Sequence, residues 1–212
     1  MIRAVLWDFG GVILTSPFEA FARYEQTNGL PDSFLRSVNA TNPHDNAWAH
    51  LERNTIGATE FDTQFATESE ALGHRVAGAD VLALLAGEVR PEMVVALDRV
   101  KQAGFLTACL TNNVVGGDPR SDVADVMTRF DHVVESSKVG VRKPEPRFYE
   151  IACELLAVEP GECVFLDDLG INLKPAAAMG MTTIKVVDAD QAITDLETVL
   201  GLDLREQGSS KN

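Results

Sequence analysis

The hydrophobic and polar positions along the chain form two kinds of pattern. Near the start, residues 4–6 are a continuous apolar run, and residues 12–14 form a second one just beyond Asp8 and two glycines. A short uninterrupted apolar run is typical of a strand that is buried on both faces. Asp8 would then lie at the carboxyl end of a buried strand, where open α/β sheets bind ligands. Taken alone, Asp8 is equally compatible with the cap of a turn.

From residue 15 to about residue 88, the apolar residues recur at helical spacing instead. We predict helices that begin at Pro17, Pro31, Ala47, Thr59 and Ala79, with the second ending at residue 35. In the first and fourth of these segments, apolar residues such as Phe18 and Phe21 or Phe61 and Phe65 lie three or four positions apart. The segment carries no convincing strand pattern, so we predict a helical domain over residues 15–88, inserted after the first strand.

Strand-like and helix-like segments alternate again from Pro91 onward. The further strands are predicted at residues 105–110, 132–134, 163–166 and 182–187, and the helices at 91–104, 122–130, 146–156, 172–179 and 189–200. Such alternation indicates an α/β fold with a parallel, doubly wound sheet and right-handed crossovers. The predicted core domain comprises residues 1–14 and 89–212. Within it, residues 114–120 are predicted as a loop and 205–212 as a disordered tail.

Composition and charge narrow the classes of partner. The 212 residues are 45% hydrophobic, which suffices for one α/β core and a smaller module. With 32 acidic and 18 basic residues the net charge is −14, so nucleic acids and anionic membranes are expected to be repelled. The sequence also lacks a membrane-length apolar run or a signal peptide, and its three scattered cysteines indicate a reducing, cytoplasmic setting.

Four chemical signatures follow four strands or the loops after them. They are residues 8–12 (DFGGV), Thr111-Asn112-Asn113, Lys143-Pro144 and Asp167-Asp168. Because a parallel sheet brings the carboxyl ends of its strands to one edge, we expect these groups to meet. Three carboxylates close together cannot all stay ionised without a cation, and oxygen donors favour a hard ion such as Mg²⁺. A lysine and a hydroxyl suit an oxyanion, with phosphate as the first candidate.

Each signature also has an ordinary structural explanation. Lys143 could be a solvated surface lysine, Thr111 a strand residue, and Asp168 the cap of the next helix. The proline after Lys143 favours an extended backbone there. The ordered set is much more specific than any one of its members.

This ordered set resembles the motifs of the haloacid dehalogenase-like (HAD) hydrolase superfamily. Several segments are similar to the amino-terminal phosphatase domain of soluble epoxide hydrolases: YEQTNGLPDSFL (24–35), AWAHLERNTIGATEF (47–61), LTNN (110–113), SSKVGVRKPEPRFYE (136–150) and FLDDLGINLKPAAAMGM (165–181). The resemblance covers essentially the whole chain. It implies a Rossmann-like core with an inserted helical cap, and a Mg²⁺-dependent hydrolase that acts on a small phosphate ester.

The resemblance implies a nucleophile and a metal site. Asp8 would attack phosphorus and form an aspartyl-phosphate. Its other carboxylate oxygen, the backbone carbonyl of Gly10 and the carboxylate of Asp168 would bind Mg²⁺, with Asp167 adjacent. Asn172 would orient the acidic pair from behind it.

The resemblance also implies a phosphate site. Thr111 and the backbone amide of Asn112 would hold the phosphoryl oxygens. Lys143 would neutralise charge on the nucleophile and on the transferring group. Together with the nucleophile, these residues would complete the site of a phosphoric monoester hydrolase.

One position departs from the pattern of most phosphatases in this family. They carry a second aspartate two residues after the nucleophile as general acid and base, and here that position is Gly10. A positioned acid typically contributes about 10²–10⁴-fold to the rate, although phosphoryl transfer can proceed without one if the leaving group is good. Among residues of the helical segment, His44, Asp45, His50 or Glu52 could substitute.

Two alternatives to the phosphatase stay open. A 2-haloacid dehalogenase also lacks the second aspartate, but an acidic pair beside the nucleophile would hinder attack on an anionic haloacid. A phosphate-binding regulatory protein that lost turnover is supported by Gly10 alone. A phosphonatase is disfavoured, because its cap supplies a Schiff-base lysine and this chain has no lysine before Lys101. A sugar-phosphate mutase would need the missing aspartate more directly.

Overall fold

The structure, a computed structural model, describes residues 1–116 and 120–205. It contains one parallel sheet with the strand order β3-β2-β1-β4-β5. The strands are β1 (Ala4–Trp7), β2 (Leu106–Thr111), β3 (His132–Glu135), β4 (Cys163–Asp167) and β5 (Thr182–Lys185). In register, Ala4 of the central strand lies opposite Leu106 on one side and Cys163 on the other. The predicted parallel α/β fold is confirmed.

The central strand is buried because helices cover both faces of the sheet. All four residues of β1 are fully buried. Val5 and Trp7 belong to one hydrophobic cluster, and Ala4 and Leu6 belong to another. Side chains alternate between the two faces of a strand, so a strand that is buried on both faces requires a continuous apolar run.

Eleven α-helices occur within the described residues. They are α1 (Phe18–Thr27), α2 (Phe34–Ala40), α3 (Ala47–Glu52), α4 (Ala58–Ala71), α5 (Gly78–Leu82), α6 (Pro91–Gln102), α7 (Ser121–Met127), α8 (Ser136–Val139), α9 (Pro146–Leu156), α10 (Gly170–Ala178) and α11 (Ala189–Leu200), with a 3₁₀ turn at Pro160–Glu162. Helices α6, α7 and α11 pack on one face of the sheet, and α9 and α10 on the other. In this described part of the chain, no helix is both long enough and apolar enough to cross a bilayer.

Helices α1–α5 surround a third hydrophobic cluster, which includes Trp48, Phe61 and Phe65. The two chain segments that join these helices to the sheet run side by side. The amide of Thr15 donates to the carbonyl of Glu88 at 2.8 Å, and Leu14 and Val89 form an antiparallel bridge. The division into residues 15–88 and a core of residues 1–14 and 89–212 stays a prediction, and the separate cluster and the paired connections support it.

The second predicted helix begins in the wrong place. The proline signal predicted a helix over residues 31–35, but α2 runs from Phe34 to Ala40. The buried carboxylate of Glu25 in α1 accepts hydrogen bonds from the backbone amides of Ser33 (3.0 Å) and Leu35 (2.9 Å). A side chain from another helix therefore satisfies the free amides at this helix start, which local sequence cannot reveal.

Smaller differences concern loops and ends. The sequence did not predict α8, which follows β3 directly. Residues 117–119 of the predicted loop and 206–212 of the predicted disordered tail lie outside the described residues. Arg205, placed in that tail by the sequence, is instead ordered, with its guanidinium Nη1 2.5 Å from Asp190 Oδ1.

Candidate active site

Three of the predicted site residues stand at the carboxyl ends of neighbouring strands. Asp8 directly follows β1, Thr111 is the last residue of β2, and Asp167 is the last residue of β4. All three are buried. Because β1 lies between β2 and β4, the sheet places these side chains next to one another, as the sequence pattern predicted.

Lys143 reaches the same point from the loop between α8 and α9. Its side chain is 1% exposed, and Nζ lies 2.6 Å from Asp8 Oδ1 and 2.8 Å from Asp167 Oδ2. Burial by itself would lower the pKa of Lys143, but the charges of Asp167 and Asp8 outweigh it and raise the pKa. Lys143 is therefore a buried, charged bridge between two carboxylates and not a solvated surface lysine.

The carboxylate of Asp167 is fully engaged inside the protein. Oδ1 accepts hydrogen bonds from the Leu169 amide (2.8 Å) and from Asn172 Nδ2 (3.0 Å). Oδ2 accepts from Lys143 (2.8 Å) and again from Asn172 Nδ2 (3.0 Å). Asn172 is itself held, because its carbonyl accepts a hydrogen bond from the buried Tyr149 hydroxyl at 2.7 Å. Asp167 thus anchors Lys143, and the structure places Asn172 against it.

The two carboxylate oxygens of Asp8 differ in their contacts. Among the described residues, the hydrogen bonds to its side chain end on Oδ1, from Lys143 Nζ and from the Phe9 amide, each at 2.6 Å. Burial raises the pKa of Asp8 well above its usual value. Lys143 opposes this effect, and the charges of Asp167 and Asp168 add to it. Burial and the neighbouring acids therefore disfavour the ionised form of the Asp8 carboxylate, and Lys143 favours it.

Asp168 is the half-buried member of the acidic group. Burial, followed by the charge of Asp167, raises its pKa to about 6. One carboxylate oxygen from each of Asp8, Asp167 and Asp168 lies within 4.8 Å of the others. A divalent cation between them would relieve the repulsion, and an all-oxygen donor set fits a hard ion such as Mg²⁺.

The two glycines after Asp8 differ in their surroundings. Gly11 has φ +81°, and a Cβ there would lie 2.4 Å from Asp168 Cγ, so a side chain would displace that carboxylate. A Cβ on Gly10 would meet no heavy atom of the described chain within 4 Å. The loop is fixed by Arg90, whose Nη1 donates to the Gly11 carbonyl at 3.0 Å.

The side chain of Asn112 clamps the backbone of Lys143. Its Oδ1 accepts from the Lys143 amide at 2.9 Å, and its Nδ2 donates to the Lys143 carbonyl at 3.0 Å. The sequence assigned only the backbone amide of Asn112 to phosphate and missed this side-chain role. The polar run after a buried strand was the available signal, but it does not reveal the partner.

Glu52 connects the helical insertion to this clamp. Its Oε2 accepts hydrogen bonds from Asn112 Nδ2 (3.2 Å) and from Arg142 Nε. A second ion pair lies beside it, with Arg53 Nη2 2.8 Å from Glu145 Oε1. These contacts of the two arginines were not predicted, because they join residues about 90 positions apart.

The four residues proposed as substitutes for the missing acid differ in their exposure and in their contacts with the site. Glu52 contacts Asn112 and Arg142 beside the site, and its pKa is raised by burial against the opposing effect of Arg142. His44 and Asp45 are exposed, and His50 Nε2 pairs with Asp45 Oδ1 at 3.0 Å. Of the four, Glu52 is the one that the structure joins to a motif residue through a hydrogen bond.

Comparison with known proteins identifies the family. The sequence pattern described as a haloacid dehalogenase-like hydrolase matches residues 2–180. The chain therefore belongs to the haloacid dehalogenase-like hydrolases and is a hydrolase of that family, as the ordered motifs indicated.

Two relatives show how much of the chain is similar to known proteins. Bifunctional epoxide hydrolase 2 from Mus musculus is 34% identical over 221 residues, which cover 97% of this chain and 40% of that protein. Acyl-CoA dehydrogenase family member 10 from the same organism is 33% identical over 207 residues, covering 95% of this chain and 19% of that protein. The chain thus spans less than half the length of these two relatives.

A solved structure shares the fold. It is a HAD family enzyme from Bacteroides thetaiotaomicron in complex with magnesium and inorganic phosphate, with 21% identity and a TM-score of 0.58. The match covers 87% of this chain and 94% of that one. At this identity the likeness establishes the fold alone.

Proposed function

We propose that this chain is a Mg²⁺-dependent phosphatase, which hydrolyses a small phosphate monoester through an aspartyl-phosphate on Asp8. The observation that carries the proposal is the environment of that carboxylate. Lys143 and the Phe9 amide hold Oδ1, each at 2.6 Å, and Oδ2 is left for a substrate. A buried nucleophile with a fixed orientation is what covalent catalysis needs.

The positions of this chain's own groups support the following reaction. Asp8 Oδ2 attacks the phosphorus atom, the bond from phosphorus to the ester oxygen breaks, and the departing oxygen leaves as the alcohol after taking a proton from solvent. Lys143 stays protonated, because its pKa is raised, and offsets the charge of the nucleophile. We assign the phosphoryl oxygens to the Thr111 hydroxyl and the Asn112 backbone amide at the end of β2. Water then attacks the phosphorus atom, and Asp8 is restored as inorganic phosphate leaves.

The acidic group fits a divalent metal ion. We assign Mg²⁺ to the carboxylates of Asp8 and Asp168 and to the backbone carbonyl of Gly10. Asp167 lies beside them, and four hydrogen bonds already occupy its carboxylate. When bound, Mg²⁺ supplies positive charge against the carboxylates and the phosphoryl oxygens. The solved HAD family enzyme of the same fold was crystallised in complex with magnesium and inorganic phosphate, the pair of ligands that we propose here.

The proposal also covers the division of the chain into domains and its location in the cell. Residues 15–88 would act as a cap over a core of residues 1–14 and 89–212, and the cap would select the substrate. A cytoplasmic location is supported by the three buried cysteines, which are all free thiols.

The test compares hydrolysis of p-nitrophenyl phosphate with and without Mg²⁺ in the wild-type protein and two variants. We expect turnover that requires Mg²⁺, and at least a 10³-fold loss in Asp8→Asn, since the amide is a poor nucleophile (an order-of-magnitude expectation). Asp32→Asn, on the exposed surface, is the matched control and should keep wild-type turnover. Metal-independent turnover, or wild-type-like turnover by Asp8→Asn, would contradict the proposal.

Gly10 favours two competing functions. A 2-haloacid dehalogenase would release chloride from a chlorinated acid, and a regulatory protein would bind phosphate without turnover. The buried Asp167 and half-buried Asp168 weigh against the dehalogenase, because they would repel an anionic substrate that brings no cation. Chloride release from 2-chloropropionate measures that activity directly. Inorganic phosphate binding without hydrolysis of any ester would support the regulatory protein.

A further inference from the structure

The position two residues after the nucleophile is an open space. Gly10 is exposed and its φ lies outside the left-handed region, so neither backbone strain nor crowding requires glycine. A Cβ built there meets no heavy atom of the described chain within 4 Å. The place where a general acid would stand in most phosphatases of this family is therefore unfilled by any described side chain.

Glu52 is the acid that contacts Asn112, and its carboxylate is already engaged in hydrogen bonds. Its Oε2 accepts hydrogen bonds from Arg142 and Asn112, and these hold the loop that carries Lys143. Arg142 is fixed in turn, because its Nη1 donates to the Pro43 carbonyl at 2.8 Å. Burial raises the pKa of Glu52, but the hydrogen bonds to its carboxylate come from Arg142 and Asn112, and none among the described residues joins it to Asp8.

Among the described residues no acidic side chain fills the place of the proton donor, and a site of this kind selects for substrates that need none. In an alkyl phosphate ester, the departing alkoxide is strongly basic and must be protonated as the bond breaks, and an acid contributes about 10²–10⁴-fold to that step. A carboxylate leaving group, whose conjugate acid has a pKa of about 4, departs with its electron pair and needs no proton. Positioning and charge stabilisation then suffice.

Resting on the proposed function, we propose that this site hydrolyses acyl phosphates, the mixed anhydrides of a carboxylic acid and phosphoric acid. The bond from Asp8 Oδ2 to phosphorus forms while the bond from phosphorus to the substrate's acyl oxygen breaks, and the free carboxylate leaves. The net charge of −14 also disfavours nucleoside polyphosphates, which are anhydrides of higher negative charge.

The same open position affects the second half of the reaction. Water attacks the phosphorus atom, the bond to Asp8 breaks, one proton of the water stays on phosphate and the other goes to solvent. No base at position 10 assists this step, whereas the first step needs no acid when the leaving group is a carboxylate. The aspartyl-phosphate therefore accumulates with an acyl phosphate, and a burst of the released carboxylate precedes steady turnover.

The experiment measures kcat/KM in Mg²⁺ for two pairs of substrates that match in shape, acetyl phosphate with ethyl phosphate and benzoyl phosphate with benzyl phosphate. Uncatalysed hydrolysis of each anhydride is subtracted. In the wild-type protein we expect the ratio of kcat/KM, acyl member over alkyl member, to exceed about 10² in each pair. In Gly10→Asp this ratio should fall by about 10²–10⁴-fold, because the new side chain can protonate an alkoxide. Gly10→Asn, of similar shape but without the acid, should lower the ratio much less than Gly10→Asp does.

The outcomes separate this inference from the proposed function. A ratio below about 10² in both pairs overturns the acyl phosphate assignment and leaves the phosphatase standing. If Glu52→Gln then abolishes the alkyl activity selectively, Glu52 is the donor. If no substrate of either pair is hydrolysed and no phosphoryl group is found on the protein by mass spectrometry, the proposed function itself fails. Circular dichroism of each variant establishes that it is folded.

Discussion

Asp167 and Asp168 are adjacent in the chain, at the end of β4, but they differ in burial and in the hydrogen bonds that they accept. Asp167 is fully buried, and hydrogen bonds from Lys143, Asn172 and the Leu169 amide occupy both of its oxygens. Asp168 is half-buried, and its pKa is raised to about 6 by burial and by the charge of its neighbour. On one side the protein satisfies the charge itself. On the other side it leaves a charge that the proposed Mg²⁺ would neutralise.

This difference indicates how the site divides its tasks. The Asp167 region positions Lys143, which in turn fixes Oδ1 of Asp8. The Asp168 region, with the exposed Gly10, is where we propose that Mg²⁺ binds. Substitutions on the first side should therefore change stability most, and substitutions on the second side should change ligand binding most.

The largest expected effect is on the stability of the Lys143 region. Lys143→Met leaves the carboxylates of Asp8 and Asp167 buried without a cation, so the free energy of unfolding should fall by about 3–5 kcal/mol. Urea denaturation at neutral pH measures it. Lys138→Met removes a lysine that is 74% exposed and should cost at most about 1 kcal/mol. Equal losses in the two variants would show that Lys143 is not the electrostatic centre of the site.

The next largest expected effect is a rise in Tm when Mg²⁺ binds at Asp168. A ligand at 100 times its Kd stabilises the folded state by about 2.7 kcal/mol, which for a chain of this size raises Tm by roughly 5–10 °C. We expect that shift in the wild-type protein and its near-complete loss in Asp168→Asn. Differential scanning calorimetry with MgCl₂ measures it, with NaCl of equal ionic strength and the surface variant Asp32→Asn as controls. An unchanged shift in Asp168→Asn would remove Asp168 from the metal site.

The smallest of the three expected effects is the loss of stability in a variant of Asn172. Asn172→Ala removes the amide that donates to both oxygens of Asp167, and a lost hydrogen bond to a buried charge costs about 2 kcal/mol. Lys143 still neutralises the carboxylate, so the loss should be smaller than in Lys143→Met. Urea denaturation of the two variants side by side gives the order. A loss in Asn172→Ala at least as large would mean that the amide, not the lysine, holds Asp167.

The fold and the meeting of the site residues followed from local sequence patterns. Continuous apolar runs predicted the buried strands, and the alternation with helices predicted a parallel sheet. A parallel sheet gathers strand ends at one edge, so Asp8, Thr111 and Asp167 had to be neighbours. These features depend on period and order along the chain, which a single sequence contains.

What the sequence could not predict rests on contacts between distant residues. The start of α2 depends on Glu25 of α1, and the position of Lys143 depends on the side chain of Asn112. The ion pair of Glu52 with Arg142 joins two parts of the fold that lie far apart in sequence. No periodicity records such pairings, because either partner alone is an ordinary polar residue.

The central claim is that Asp8 accepts the phosphoryl group beside a metal ion. A crystal structure of the protein with magnesium and fluoroberyllate, a mimic of the phosphoryl group, tests this most directly. The account predicts beryllium bonded to an Asp8 carboxylate oxygen, with an ion against Asp8, Asp168 and the Gly10 carbonyl. A bare Asp8 carboxylate, with no ion at the neighbouring acids, would contradict it.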